Sequence, residues 1–110
     1  MPDLEFFRTK KVYDKEQVTV STSSVGGTAS KINNVDSDGP IDFKASAATA
    51  FVVSNNVYYT FDGTTPSATN GEIAYAGDRV AISGYQKVLN FRMLRTAASD
   101  ATVNMTYYKG

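Results

Sequence analysis

Residues 55–71 read NNVYYTFDGTTPSATNG and combine a short strand with a long turn. The strand, from Val57 to Phe61, is rich in β-branched and aromatic residues, which favour a pleated, half-buried surface. The turn after it contains Asp-Gly, Pro and Asn-Gly, residues that tolerate positive φ values or fix the backbone direction. The same succession of short strand and turn recurs along the whole chain. It predicts an all-β domain.

Alternation of apolar and polar residues predicts strands on both sides of this segment. It is clearest where Val18 and Val20 share one face, at residues 79–83, and at residues 102–108. Residues 88–96 are also predicted as a strand. The total is about 7–9 short strands, which predicts a single antiparallel β-sandwich, either jelly-roll or immunoglobulin-like. A helix is conceivable only over residues 78–94, where Gly84 and the β-branched residues argue against it.

The first 16 residues differ from the rest because apolar and charged residues are interleaved without a clean period. One interpretation is a frayed terminus with an irregular first strand. The other is an arm that docks on another subunit, since exposed apolar clusters often mark contacts. We therefore divide the chain into an N-terminal arm (residues 1–16) and a β-sandwich domain (residues 17–110). The partner-binding residues predicted on the arm are Leu4, Phe6, Phe7, Arg8, Lys10, Lys11 and Tyr13.

The amino-acid composition argues against several classes of function. The 110 residues carry 11 basic and 11 acidic side chains, so no basic field is available for nucleic acid. No apolar run approaches the roughly 20 residues of a membrane-spanning helix, and the start of the chain lacks the features of a signal peptide. We expect synthesis in a cytoplasm. Cysteine and histidine are absent, which removes disulfides, thiolate and imidazole chemistry and the usual zinc ligands. We expect no enzyme activity and no cofactor.

Three patterns in the sequence bear on ligand binding. Residues 34–39 match the opening of a calcium loop, but Ala45 occupies the position of the bidentate Glu, so we expect a solvated turn and no metal site. Residues 62–66 predict a turn braced by Asp and Thr side chains, or a loop that presents them to a ligand. The third pattern is a set of three tyrosines that cover sheet surfaces or form a stacking platform for sugars or bases: Tyr58, Tyr85 and Tyr108.

Four segments resemble small virion structural proteins of tailed bacteriophages: YYTFDGTTPS (58–67), AGD (76–78), NFRMLR (90–95) and ATVNMTYY (101–108). The shared pattern is a strand ending in an Asp-Gly-Thr-x-Pro turn, a Gly-Asp turn, a Phe-Arg strand and a terminal strand. With residues 18–31, the resemblance covers residues 17–108. A narrower similarity, confined to residues 58–66, is to the small β-sandwich appended to chitobiases.

The phage resemblance implies a non-enzymatic component of the virion. The function expected first is a capsid decoration (cement) protein, a homotrimer whose partners are the major capsid protein or other virion proteins. Its basic arm residues would meet acidic shell surface. Two alternatives remain open: a head–tail neck or tail joining protein, and a carbohydrate-binding β-sandwich module.

Overall fold

The computed structural model describes residues 11–28, 32–35 and 42–109, and within these ranges the chain forms short strands and one short helix. The strands are β1 (Lys11–Val20), β2 (Asn33–Val35), β3 (Asp42–Lys44), β4 (Ala47–Ser54), β5 (Val57–Thr60), β6 (Glu72–Ala74), β7 (Arg79–Ser83), β8 (Arg92–Arg95) and β9 (Ala101–Lys109), and the helix is α1 (Tyr85–Asn90). The predicted all-β fold class is confirmed.

The strands form two main sheets and a small hairpin. The larger sheet has the order β1-β9-β4-β7, the smaller has the order β6-β5-β8, and β2 pairs with β3. Neighbouring strands are antiparallel throughout these sheets. Side chains from both main sheets belong to one buried cluster, so the two sheets pack on each other as a sandwich, as the strand pattern predicts.

The strand order is that of a jelly roll. Val25, after β1, bridges Met93 of β8 through backbone hydrogen bonds of 3.0 and 2.7 Å, which adds one more chain segment to the smaller sheet. The pairs then nest: β1 with β9, Val25 with β8, β4 with β7, and β5 with β6. A long hairpin rolled up in this way is a jelly roll. An immunoglobulin sandwich instead places its first strand beside its second, so the jelly-roll alternative applies.

The core is filled by the inward-facing residues that the alternation predicts. On β9, Val103, Met105 and Tyr107 are at most 1% exposed. On β1, Val18 and Val20 are buried, and the smaller sheet contributes Val57, Ala74 and Met93. Neighbouring residues on the same strands point to the outer faces, because side chains alternate between the faces of a sheet.

Strand β1 begins at Lys11, so the predicted boundary between arm and domain at residue 16 falls inside this strand. Residues 11–16 pair with the end of β9, and the register shifts between Val12 and Asp14. A bulge of this kind inserts one residue and reverses the alternation of side chains beyond it. This explains why residues 11–16 have no clean period of two.

Helix α1 corrects the prediction of an uninterrupted strand over residues 88–96. Gly84 ends β7 with a φ of 100°, and Val88 donates a backbone hydrogen bond to its carbonyl at 3.1 Å. Val88 is fully buried although it is β-branched, so tertiary packing outweighs its weak helix propensity. The alternation that suggested a strand is real only from Phe91 onward, where Phe91 and Met93 are buried.

A hydrogen-bonded group ties β1 to the loop that follows it. The buried Tyr107 hydroxyl donates to Oε2 of Glu16 at 2.6 Å. Thr28 donates to the same carboxylate through its backbone N–H at 2.9 Å and its hydroxyl at 2.6 Å. Gly27 passes beside this group, and a Cβ added there would overlap the Tyr107 hydroxyl. The φ of Gly27 is not positive, so its backbone conformation does not require glycine. Glycine is required because a side chain at this position would overlap Tyr107.

We expect Gly27→Ala to lower the free energy of unfolding by about 1–3 kcal/mol, because the added methyl overpacks the site. Tyr107→Phe alone should cost a similar amount, about 1–3 kcal/mol, since it deprives the Glu16 carboxylate of a buried donor. In the double variant the cost should be clearly less than the sum, because the missing hydroxyl is the group that the new methyl would meet. Urea unfolding followed by circular dichroism measures all three.

The matched control is Ser24→Ala, at an exposed position of the same loop, which should change stability by less than about 0.5 kcal/mol. Additive costs in the double variant would mean that the Gly27 position is limited by something other than Tyr107.

Candidate functional site

The predicted partner-binding residues divide into two groups. Leu4, Phe6, Phe7, Arg8 and Lys10 lie outside the described residues. Lys11 and Tyr13 lie in β1, on the edge of the larger sheet. The calcium-like segment 34–39 also falls largely outside the described residues, and no group of three potential metal ligands occurs in the part of the chain that the structure describes. The proposed arm contacts therefore stay predictions.

The turn after β5 is braced by its own side chains, as the sequence predicts. Oδ1 of Asp62 accepts hydrogen bonds from the backbone N–H of Thr64 at 3.1 Å and from its hydroxyl at 2.5 Å. These bonds stabilise the ionised form and lower the pKa of the Asp62 carboxyl below its ordinary value. Gly63 has a φ of 83°, and Asn70 donates to the carbonyl of Thr65 at 2.9 Å. These hydrogen bonds stabilise the conformation of the turn next to β5.

The three tyrosines considered as a stacking platform do not come together. Tyr58 faces outward on the smaller sheet, opposite Ile73 of β6 and Leu94 of β8. Tyr108 follows the buried Tyr107 and therefore faces outward on the larger sheet. Tyr85 lies on α1 and packs against the core cluster. Tyr58 and Tyr108 are on opposite faces of the sandwich, so these residues cannot contact one flat ligand.

A cleft that the sequence does not indicate lies where β6 and β7, the edge strands of the two sheets, separate. Two adjoining cavities of about 360 and 300 Å³ are both lined by Tyr59 and Phe61. Residues of β6, β7 and the turn between them complete the first cavity, and the second is completed by Asp62, Asn70, Glu72 and Lys87. We call the two cavities together the aromatic cleft.

The floor of the aromatic cleft is a packed group of three rings. Phe91 is 1% exposed and lies beneath the other two, with ring centroids 5.8 Å from Tyr59 and 5.8 Å from Phe61. Tyr59 and Phe61 meet edge to face at 5.5 Å with an interplanar angle of 67°. This geometry is favourable for aromatic pairs. The two upper rings are therefore packed in these orientations, and each remains partly exposed at the cleft.

The Tyr59 hydroxyl points to the rim of the aromatic cleft and donates to Oε2 of Glu72 at 2.8 Å. Burial raises the pKa of Tyr59 to about 12, and the hydrogen bond to Glu72 and the negative charges of Glu72 and Asp78 add to the shift. Tyr59 is therefore a neutral donor at physiological pH. Its bond fixes one oxygen of the Glu72 carboxylate at the cleft.

We expect Tyr59 to ionise near pH 12 in an alkaline titration followed by NMR of ring-labelled tyrosine. Because the folded-state pKa lies above the ordinary 10.0, the stability that this hydroxyl contributes is complete below pH 10.0 and is lost as the pH rises toward 12. Glu72→Gln should lower the pKa of Tyr59 yet leave it above 10.0, since burial is the largest cause of the shift.

The variant Tyr59→Phe assigns the ring resonance of Tyr59. This resonance should be absent from the spectrum of that variant and present in those of the wild type and Glu72→Gln. A Glu72→Gln protein whose Tyr59 titrates as in the wild type would contradict the assigned hydrogen bond.

The acidic side chains of the described residues are engaged in bracing the fold. Outside β3, whose side chains the structure does not describe, each of the six acidic residues in the described ranges accepts at least one hydrogen bond from another group of the protein: Asp14, Glu16, Asp62, Glu72, Asp78 and Asp100. Asp100 also pairs with Arg95 at 2.6 Å. These carboxylates therefore stabilise turns and strands of the fold.

Comparisons of the chain with protein-family models, with curated proteins and with solved structures find no match. Among the described residues, no helix has the length and apolar character needed to cross a membrane.

Proposed function

We propose that the protein is a non-enzymatic structural component of a bacteriophage virion, and more specifically a capsid decoration protein. The observation that carries the proposal is the jelly-roll strand order, an architecture found in viral capsid domains as well as in lectins. One fold can serve many functions, so the proposal also depends on how the side chains are used and on where the chain enters the sheet.

The use of the acidic side chains favours a non-catalytic function. Six described carboxylates brace turns, strands or the Glu16–Tyr107 group. The chain contains no histidine or cysteine, the side chains that most often serve as general bases or strong nucleophiles near neutral pH. A protein that works through its shape needs none of these groups.

The entry of the chain into the larger sheet favours an arm that contacts a neighbour. Strand β1, the first strand of the described residues, lies at an edge of the larger sheet. Burial of Leu4, Phe6 and Phe7 against a partner would contribute about 25 cal/mol per Å² of apolar surface, less the cost of ordering the segment. Several kcal/mol per site would be enough to cement adjacent capsomers.

We expect a variant that lacks residues 1–10 to keep the melting temperature of the full chain but to lose binding to heads of the phage that encodes it. Truncation at this point spares β1, whereas removal of residues 11–16 would also destroy its pairing with β9. Binding is measured by co-sedimentation with heads that lack the protein.

Two full-length variants separate the contributions of the arm. Replacing Phe6 and Phe7 by Ser should abolish binding at all salt concentrations. Replacing Arg8 and Lys10 by Gln should weaken binding mainly at low salt, because salt screens exposed charges. Saturation of heads by the truncated protein at wild-type affinity would refute the arm proposal.

The main alternative is a neck or tail joining protein, and the oligomeric state discriminates. A decoration protein is expected to form a trimer, whereas a neck protein is expected to form a ring of higher order. Native mass spectrometry of the full chain measures this, and immunogold labelling of purified particles locates the protein on the head or at the neck. A ring of six or more copies would favour the alternative.

A further inference from the structure

The aromatic cleft contains polar groups whose hydrogen-bonding capacity the fold does not exhaust. Oε2 of Glu72 accepts the Tyr59 hydroxyl, and no described residue donates to Oε1. Asn70 uses its amide nitrogen within the turn, where it donates to Thr64 and Thr65, and no described residue donates to its amide oxygen. Glu72 and Asn70 are exposed and line the same cavity. Two acceptors therefore remain open to a ligand.

Lys87 of α1 supplies donors to the same cavity. Its Nζ lies 5.7 Å from the centroid of the Phe61 ring, and the side chain is exposed. The ammonium group forms no ion pair with any residue in the described ranges. Since an ammonium group has three N–H donors, Lys87 can bind ligand oxygens while it lies over the partly exposed Phe61 ring.

The charges around the second cavity favour a neutral ligand. Asp62 and Glu72 are negative and Lys87 is positive, and all three line this cavity. The two carboxylates disfavour an anion, and the ammonium group offsets part of the attraction that they would exert on a cation. Hydroxyl groups both donate and accept hydrogen bonds, so a neutral polyhydroxylated ligand can donate to Glu72 and accept from Lys87 at once.

The aromatic floor adds the second requirement, an apolar face on the ligand. The rings of Tyr59 and Phe61 are partly exposed and pack against each other and against the buried ring of Phe91. A pyranose ring presents hydroxyls at its edge and C–H groups on its face, which can pack on such rings. The two cavities, about 360 and 300 Å³, fall within the size range of small-molecule sites.

We propose that the aromatic cleft is a binding site for a neutral saccharide, with Tyr59 and Phe61 as the stacking surface and Glu72 and Lys87 as hydrogen-bonding partners. These residues differ from Tyr58, Tyr85 and Tyr108, the three tyrosines whose alternative to covering sheet surfaces was a stacking platform. The proposal goes beyond the virion function and does not depend on it, because no residue of the arm takes part.

The test is an NMR titration of the full-length ¹⁵N-labelled protein with a panel of neutral oligosaccharides built from glucose, galactose or N-acetylglucosamine. A sulfated and a cationic oligosaccharide complete the panel. We expect at least one neutral member to shift the amide resonances of residues 59–62, 70–72 and 87 at millimolar concentration. Glu72→Gln and Lys87→Met change exposed side chains and should preserve the fold, and each should weaken binding severalfold.

Phe61→Leu tests the stacking surface, since it removes the ring but keeps most of the apolar volume, and it should weaken binding at least tenfold. The matched control is Tyr58→Leu, which removes a ring from the outer face of the same sheet and should leave affinity unchanged. The proposal is overturned if no neutral member shifts these resonances, if only the sulfated or the cationic member binds, or if Tyr58→Leu weakens binding while Glu72→Gln and Lys87→Met do not. None of these outcomes bears on the arm experiment.

Discussion

The position of β9 is the constraint on which the rest of the structure depends. This strand comes last in the chain, yet it lies between β1 and β4 and pairs with both along most of its length. Its inward residues Val103, Met105 and Tyr107 are almost fully buried. Since the chain contains no cysteine, backbone pairing and packing must hold the sheet closed. Contacts between residues so distant in sequence are slow to form, so the domain is complete only when its end is in place.

The same arrangement positions the aromatic cleft. With β9 and β4 in the interior of the larger sheet, β1 and β7 become its edges. On the β7 side the neighbouring edge of the smaller sheet is β6, and no strand of the described residues covers the gap between them. Tyr59 and Phe61 face inward at this gap, where they are packed on Phe91 but covered only in part. The first cavity of the cleft is thus a consequence of the jelly-roll topology, and the turn after β5 together with α1 completes the second.

The sequence predicts features that depend on residues close together in the chain. It fails where contacts between residues distant in the chain determine the structure. The alternation in β9 and the bracing of the turn by Asp62 are local, and both agree with the structure. Helix α1 could not be predicted because burial of Val88 outweighs its propensity. The start of β1 was concealed by a bulge. The sequence alone does not reveal the strand order. That order places Tyr58 and Tyr108 on different sheets. The fold also brings Lys87 over the ring of Phe61.

The two proposed interactions can operate together because they lie at opposite edges of the larger sheet. Strands β1 and β7 are separated by β9 and β4, which puts them about 14 Å apart at the usual spacing between strands. A partner that contacts only the β1 edge would leave the aromatic cleft open to solvent. Saccharide binding would also require no change in the core, because Tyr59, Phe61 and Phe91 already pack as a fixed group. A protein anchored through one edge can therefore present a preformed site at the other, with little ordering cost on binding.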